Sequence, residues 1–312
     1  MANPIFFRLM VLLAKLETTY ATDPTLTGAA NAILAKNISI NPMDGTDVSR
    51  DLIRSYLGNQ GTIPAELAVV IDFDTEIAGS GTAGTAPAWG PLMRGAGCAE
   101  VIVASTSVTY SPISDAMESV YIQFWIGATL HAAKGSRTQA KATLNAQGVP
   151  IIHWTFTGLF IDPSEVARPT PTLTGFKDPL LVTNVNTPIF TVNAVSLVMR
   201  NYSFDFGNKV EKRLLVGSES VLITDRGESI DVQVEAVPVT TFNPYGLAKA
   251  QTRVPVIIRH GTVAGNICTI NAPTSQIQRP RGYTNNQGVA EWQLSLKPQP
   301  NTGNDQFSIV MT

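Results

Sequence analysis

Charge is scarce in this chain. Lys, Arg, Asp and Glu make up 15% of 312 residues, and 22 basic residues nearly balance 24 acidic ones. A net charge of −2 leaves none of the basic footprint that nucleic-acid-binding domains carry. Cysteine is rarer still: Cys98 and Cys268 lack Cys-x-x-Cys spacing, which excludes a disulfide framework or zinc knuckle and suggests two buried thiols in a reducing compartment. The three histidines, His131, His153 and His260, stand apart from Cys, Asp or Glu at ligand spacings, so no metal and no cofactor is expected. No run of about 18 uncharged apolar residues occurs, so membrane insertion by a helix is not expected. The opening "MANPIFFRLMVLLAKLETTY" imitates a secretory signal, but Arg8 interrupts it, a basic leading region is missing, and Ala14-Lys15-Leu16 is a poor cleavage site. It reads as mature sequence, an early strand or short amphipathic arm.

Amphipathic helical segments are missing too, and period-2 alternation takes their place. Strands are predicted at 32–41, 67–78, 119–127, 138–145, 151–160, 191–206, 219–224, 229–237, 254–260, 266–271 and 289–296. One helix is predicted, over 88–99, weakened by its own Gly and Pro. A doubly wound parallel sheet would need several crossover helices. The fold class is therefore all-β.

The chain also repeats itself. Lys36-Asn37-x-Ser39 matches Arg200-Asn201-x-Ser203, and Ile71-Asp72-Phe73 matches Ile230-Asp231-Val232. Asn145, Gln147 and Gly148 match Asn285, Gln287 and Gly288, with Trp154 meeting Trp292 after a two-residue gap. These matches keep their order, the pattern of an internal duplication. The second copy carries only "VTTFNPYGLAKAQTRV" where the first has its glycine-rich and helical segment, so it reads as a degenerate duplicate without that helix. Two tandem β-sandwich or barrel domains follow: 1–161 with the N-terminal arm and one short flanking helix, and 190–312. Residues 162–189, rich in Pro and Thr, form an extended linker.

"VVIDFDTEIAGSGTAG" (69–84) invites an enzymatic reading through Asp72-x-Asp74 and Gly79-x-Gly81-x-x-Gly84. Such glycines hold pyrophosphate only where a strand feeds a helix N-terminus. Here Thr-Ala-Pro-Ala-Trp-Gly-Pro follows Gly84 and disturbs any helix. Glu76 also stands where aspartyl phosphotransferases carry Thr or Val. No catalytic residue is expected, and the chain is not read as an enzyme. What remains is alternation: Ile71 and Phe73, with Ile230 and Val232, face a core, while Asp72, Asp74 and Glu76, with Asp231 and Glu235, face away. An ordinary solvated strand face would look the same.

The segments "LLAKLETTYATDPTLTGAANAILAKNISINP" (12–42), "AGSGTAGTAPAWGPLMRGAG" (78–97) and "LNAQGVPIIHWTFTGLF" (144–160) resemble the tail tube proteins (major tail proteins) of long, non-contractile-tailed bacteriophages. Residues 190–312 match less directly, through the duplication. The resemblance implies a structural virion protein whose β-sandwiches join edge to edge into stacked rings, forming a conduit for genome ejection. Its location would be the phage tail, after synthesis in the bacterial host cytoplasm. Six tube domains per ring would come from three chains, giving trimeric rings with pseudo-sixfold symmetry. The alternatives are hexameric rings with 190–312 as an outer decoration, or a carbohydrate-binding adhesion module. Partners implied are the chain itself, the tape measure protein, the tail terminator and distal tail proteins, and double-stranded DNA that passes without sticking. In that setting Asp72, Asp74, Glu76, Asp231 and Glu235 would face an acidic lumen that repels phosphate. The loops 42–64 and 207–228 would contact neighbouring rings through Asp44, Asp47, Arg50, Arg54, Lys209 and Arg213.

Overall fold

The computed structural model describes residues 4–312; residues 1–3 of the expected N-terminal arm lie outside the described residues. The first half forms β1 (Met10–Leu16), α1 (Gly28–Asn31), β2 (Lys36–Ser49), β3 (Thr62–Glu76), α2 (Gly90–Gly95), β4 (Cys98–Val103) and β5 (Ser107–Pro112). It continues with β6 (Val120–Ile126), β7 (Thr129–Asn145), β8 (Ile151–Phe160) and a short β9 (Ser164–Glu165). The second half forms β10 (Ile189–Val192), β11 (Val195–Ser196), β12 (Met199–Asp205), β13 (Asn208–Leu215), β14 (Ser218–Arg226) and β15 (Ser229–Glu235). After α3 (Pro244–Lys249) come β16 (Arg253–His260), β17 (Cys268–Ile277), β18 (Tyr283–Asn286), β19 (Val289–Pro298) and β20 (Ser308–Met311). The chain is all-β, its strands paired antiparallel and its helices no longer than six residues.

Hydrogen bonding in the first half runs β2–β3–β8–β7–β6–β1. In the second it runs β12–β15–β19–β17–β16–β10. Each order uses its strands in the same succession along the chain. The likeness reaches single residues: Ser39, Asp72 and Thr155 lie abreast across β2, β3 and β8. Ser203, Asp231 and Ser295 lie abreast across β12, β15 and β19. That register separates the two tryptophans the sequence brings together. Trp154 lies opposite Phe73, but the neighbour of Ser295 in its place is Leu294, and Trp292 sits opposite Val234. The gap inserted to align them has no counterpart in the pairing.

The core is built from the apolar side of the alternation. Ile71, Phe73, Ile230 and Val232 are all buried, and Phe73 stacks on Phe156 with ring centroids 5.8 Å apart. Both cysteines are buried and free, and burial pushes each thiol up to about 12. On β7, small residues face large ones across the ladder: Ala140 opposes Trp154 and Ala142 opposes Ile152.

Several elements differ from the expectation. The helix predicted at 88–99 is only the six-residue α2, because Gly97 turns the chain at φ +70° and Cys98 already begins β4. The second half has a helix after all: α3 occupies the stretch between β15 and β16, as α2 lies between β3 and β6. Asn243 caps it by accepting a hydrogen bond from the Gly246 backbone N–H, with Pro244 in its first turn. The predicted 191–206 strand breaks into β10, β11 and β12 at Asn193 and Ala194, both at positive φ. β7 begins nine residues before its predicted start at 138, in an Ala-, Gly- and Lys-containing stretch of weak strand preference. The 162–189 connector, expected to be extended, is also tied to the first half: Val182 exchanges backbone bonds with Gln147 and Gly148, and Thr172 N–H donates to the Gly28 carbonyl.

Candidate assembly interface

β7 serves two sheets. Its first part pairs with β6; beyond a register shift between Lys134 and Arg137, its end, Lys141–Asn145, pairs with β12. A single sheet, β2–β3–β8–β7–β12–β15–β19, therefore passes through both halves. β20 pairs with β5 and joins the halves a second time. One face of the through-running sheet is apolar and buried. The other is polar, and over the junction it forms an open groove of about 970 Å³ lined by Lys141, Thr143, Ser203, Asp231, Arg279 and Gln293, among others.

The five carboxylates singled out in the sequence fall on this polar face by strand alternation, but few are bare. Asp72 accepts from the Thr155 hydroxyl at 2.6 Å, and Asp231 accepts from the Ser295 hydroxyl. Asp74 is 6% exposed, closed beneath Asn37 and His153, whose nitrogens lie 2.7 and 2.6 Å from it. Glu76 pairs with Lys36 at 3.1 Å. Glu235 lies opposite Glu291. The Glu291 side chain is 1% exposed; hydrogen bonds from Arg200 above all, then from Asn286 and Gln233, hold its carboxyl below the usual range. Lys141 and Lys297 share the face with Arg279 and Arg281 at its rim. The face is thus mixed in charge and rich in hydroxyls and amides, not lined by carboxylates alone. The balancing cations sit on β2, β7, β12, β19 and the 278–282 segment, which only pairing brings alongside.

The glycine run has a different role from the one its spacing imitates. Gly79 N–H donates to Asn266 at 2.7 Å and Gly81 N–H to the Gly265 carbonyl at 3.0 Å. A Cβ on Gly79 would stand 2.0 Å from that carbonyl. Backbone meets backbone here, and only glycine permits the approach. This joint between halves was invisible in the sequence.

The two predicted ring-contact loops are hairpins. In the first, the distal parts of β2 and β3 form an arm tipped by residues 50–61. Asp47, Arg50 and Arg54 lie on it exposed, Arg54 stacking over Tyr56. Asp44 is taken by Lys212 of the second arm at 2.7 Å. The second arm, β13–β14, does not project as an equivalent loop. At Gly207, φ +62°, the chain bends so tightly that a Cβ would stand 2.1 Å from the Gly227 carbonyl. The arm then lies on the first half: Arg226 donates to the Gly97 carbonyl at 2.7 Å and Asn208 to the Ala96 carbonyl at 2.8 Å. Val221 N–H donates to the Tyr20 hydroxyl at 2.7 Å, and Arg137 donates to the Val221 carbonyl. Lys209 and Arg213 remain exposed on its outer side. Tyr20, Arg137, Asn208 and Arg226 carry no motif, and their role appears only once the arm is folded.

Among the described residues, two edges of the through-running sheet end without a strand beside them. One is β2, paired there only with β3. The other is β18, paired there only with β19. No protein-family model matches the chain, and no curated protein matches it.

Proposed function

We propose that this chain is the structural subunit of a phage tail tube, and that three copies close into a ring with pseudo-sixfold symmetry. The observation that carries the reading is the β7·β12 junction. Two halves of matching strand order are joined there edge to edge, and the joint leaves β18 and β2 free at opposite ends. A second copy placed by the same rule sets β2 against β18 of its neighbour. In the internal joint Ser203 opposes Thr143 and Asn201 opposes Asn145; the copied register sets Ser39 against Thr284 and Asn37 against Asn286. Such a repeat is either a closed ring or an open fibre.

Closure with six halves suits a conduit. Eight strands per chain, β2 to β18, give about 24 in a three-chain ring. At about 4.8 Å per strand they enclose a backbone diameter of about 37 Å before tilt widens it. That leaves room for a double helix and a layer of water. Continuity of the sheet also favours a second half that lines the tube over one that decorates it. The polar face would form the bore, the stacked rings would hold the tape measure protein until ejection, and the tail terminator and distal proteins would cap the ends.

Two measurements test this. Rotationally averaged electron micrographs of purified protein should show threefold rings with six lobes. Ser39→Cys with Thr284→Cys should oxidise to a trimer on a denaturing gel. Six-chain rings, or monomers at every concentration, would overturn the three-chain reading.

A further inference from the structure

The second arm lies on the first half of its own chain; beyond the Asp44–Lys212 pair, the first arm lies on nothing among the described residues. It leaves Met43, Val48 and Ile63 about half exposed, and Ile53 and Leu57 at its tip fully exposed. So much unpartnered apolar surface on one hairpin is costly in water and marks a contact site.

The landing place of the second arm has a counterpart in the second half. Its anchor is the end of α2, where Ala96 caps the helix and Gly97 turns left-handed; Ile223 reaches within 3.3 Å of where a Gly97 Cβ would lie. At the end of α3, Ala250 caps the helix and Gln251 turns at φ +54°. Both Ala250 and Gln251 are exposed, and no arm among the described residues covers them. Beside them stands an aromatic group: Tyr283 lies 6.1 Å from buried Trp292, Phe242 lies 5.9 Å from the same ring, and Tyr245 and Tyr283 are 37% and 59% exposed. Lys249 on α3 is exposed and in no ion pair among the described residues, while the first arm carries Asp47 and Asp51 exposed.

We infer that the arm of residues 42–64 docks on the α3–β18 face of a second copy of this chain, as the 208–226 arm docks on the α2 face of its own. This rests on the assembly reading above and adds a specific clasp to the edge pairing. The arms then overlap in series: the second leans on the first through Lys212–Asp44 within a chain, and the first leans on the next copy's second half. Apolar contacts with Tyr245 and Tyr283 supply the affinity, and the acid-to-base match supplies orientation.

The test uses full-length chains, one carrying Pro64→Cys and one carrying Gln251→Cys with a distinguishable tag. In the internal template Ile223 and Gly97 occupy the corresponding places. Mixed under assembly conditions and oxidised, the two should form a heterodimer, absent with either chain alone. A companion variant, Ile53→Ser with Leu57→Ser, removes nothing buried within the chain. It should keep the parent's thermal melt while ring yield falls at least tenfold. Rings that form without the heterodimer, or at full yield in the companion variant, overturn the clasp and leave the tube reading standing. Persistent monomers with no cross-link overturn both.

Discussion

Thr75 and Trp154 show how much one hydroxyl decides. Both are buried, and the indole N–H donates to the threonine oxygen at 2.8 Å. In the second half Trp292 buries its indole nitrogen with no hydrogen-bond partner among the described residues, and Val234 faces it. Thr75→Val keeps the shape of the first site but orphans the Trp154 N–H. The expected loss is about 1–3 kcal/mol, read as a fall in Tm of roughly 2–4 °C for each kcal/mol. An unchanged melt would mean the hydrogen bond contributes nothing. Alternation places Thr75 with Ile71 and Phe73 on the buried side of β3, so its hydroxyl needs a partner there. Trp154 supplies that partner, while on the opposite side Asp74 is covered by Asn37 and His153.

At the scale of elements, one structural feature separates the two hairpin arms. Gly207 and Gly227 let β13–β14 fold back, whereas the first arm passes the same point through Pro42 and Met43 and runs straight on. Gly207→Ala meets both a positive φ and a carbonyl 2.1 Å away. It should cost more than about 1 kcal/mol and release the arm, with 208–226 becoming the first site of limited proteolysis. Continued protection of that segment would show the bend tolerates a side chain. Strand identity over most of the chain was legible from alternation. The strands missed, β4, β5, β9, β13, β18 and β20, are short or carry charge on both faces, and pairing partners elsewhere in the chain stabilise them.

For the whole molecule, the through-running sheet makes a wall whose charges are set by neighbours. Asp72 and Asp231 occupy equivalent places on it, each beside a hydroxyl from the next strand. Replacing both by Lys adds six cations per three-chain ring, and each new phosphate contact strengthens DNA retention by counterion release. Rings should still assemble, because neither carboxylate lies in the core, but DNA ejection should slow, most at low salt. Ejection kinetics indifferent to both substitution and salt would remove this face from the bore.

By itself the sequence determined the fold class, the repeat and which side of β3 and β15 is buried. Those properties are local: alternation and burial depend on a residue's own chemistry and that of its near neighbours. The through-running sheet, the glycine joint at 79–81, the fate of the two arms and the charge balance of the polar face were decided by tertiary structure. Each arises where residues far apart in the chain are brought within hydrogen-bonding distance, and no short window of sequence records which strand will lie beside which.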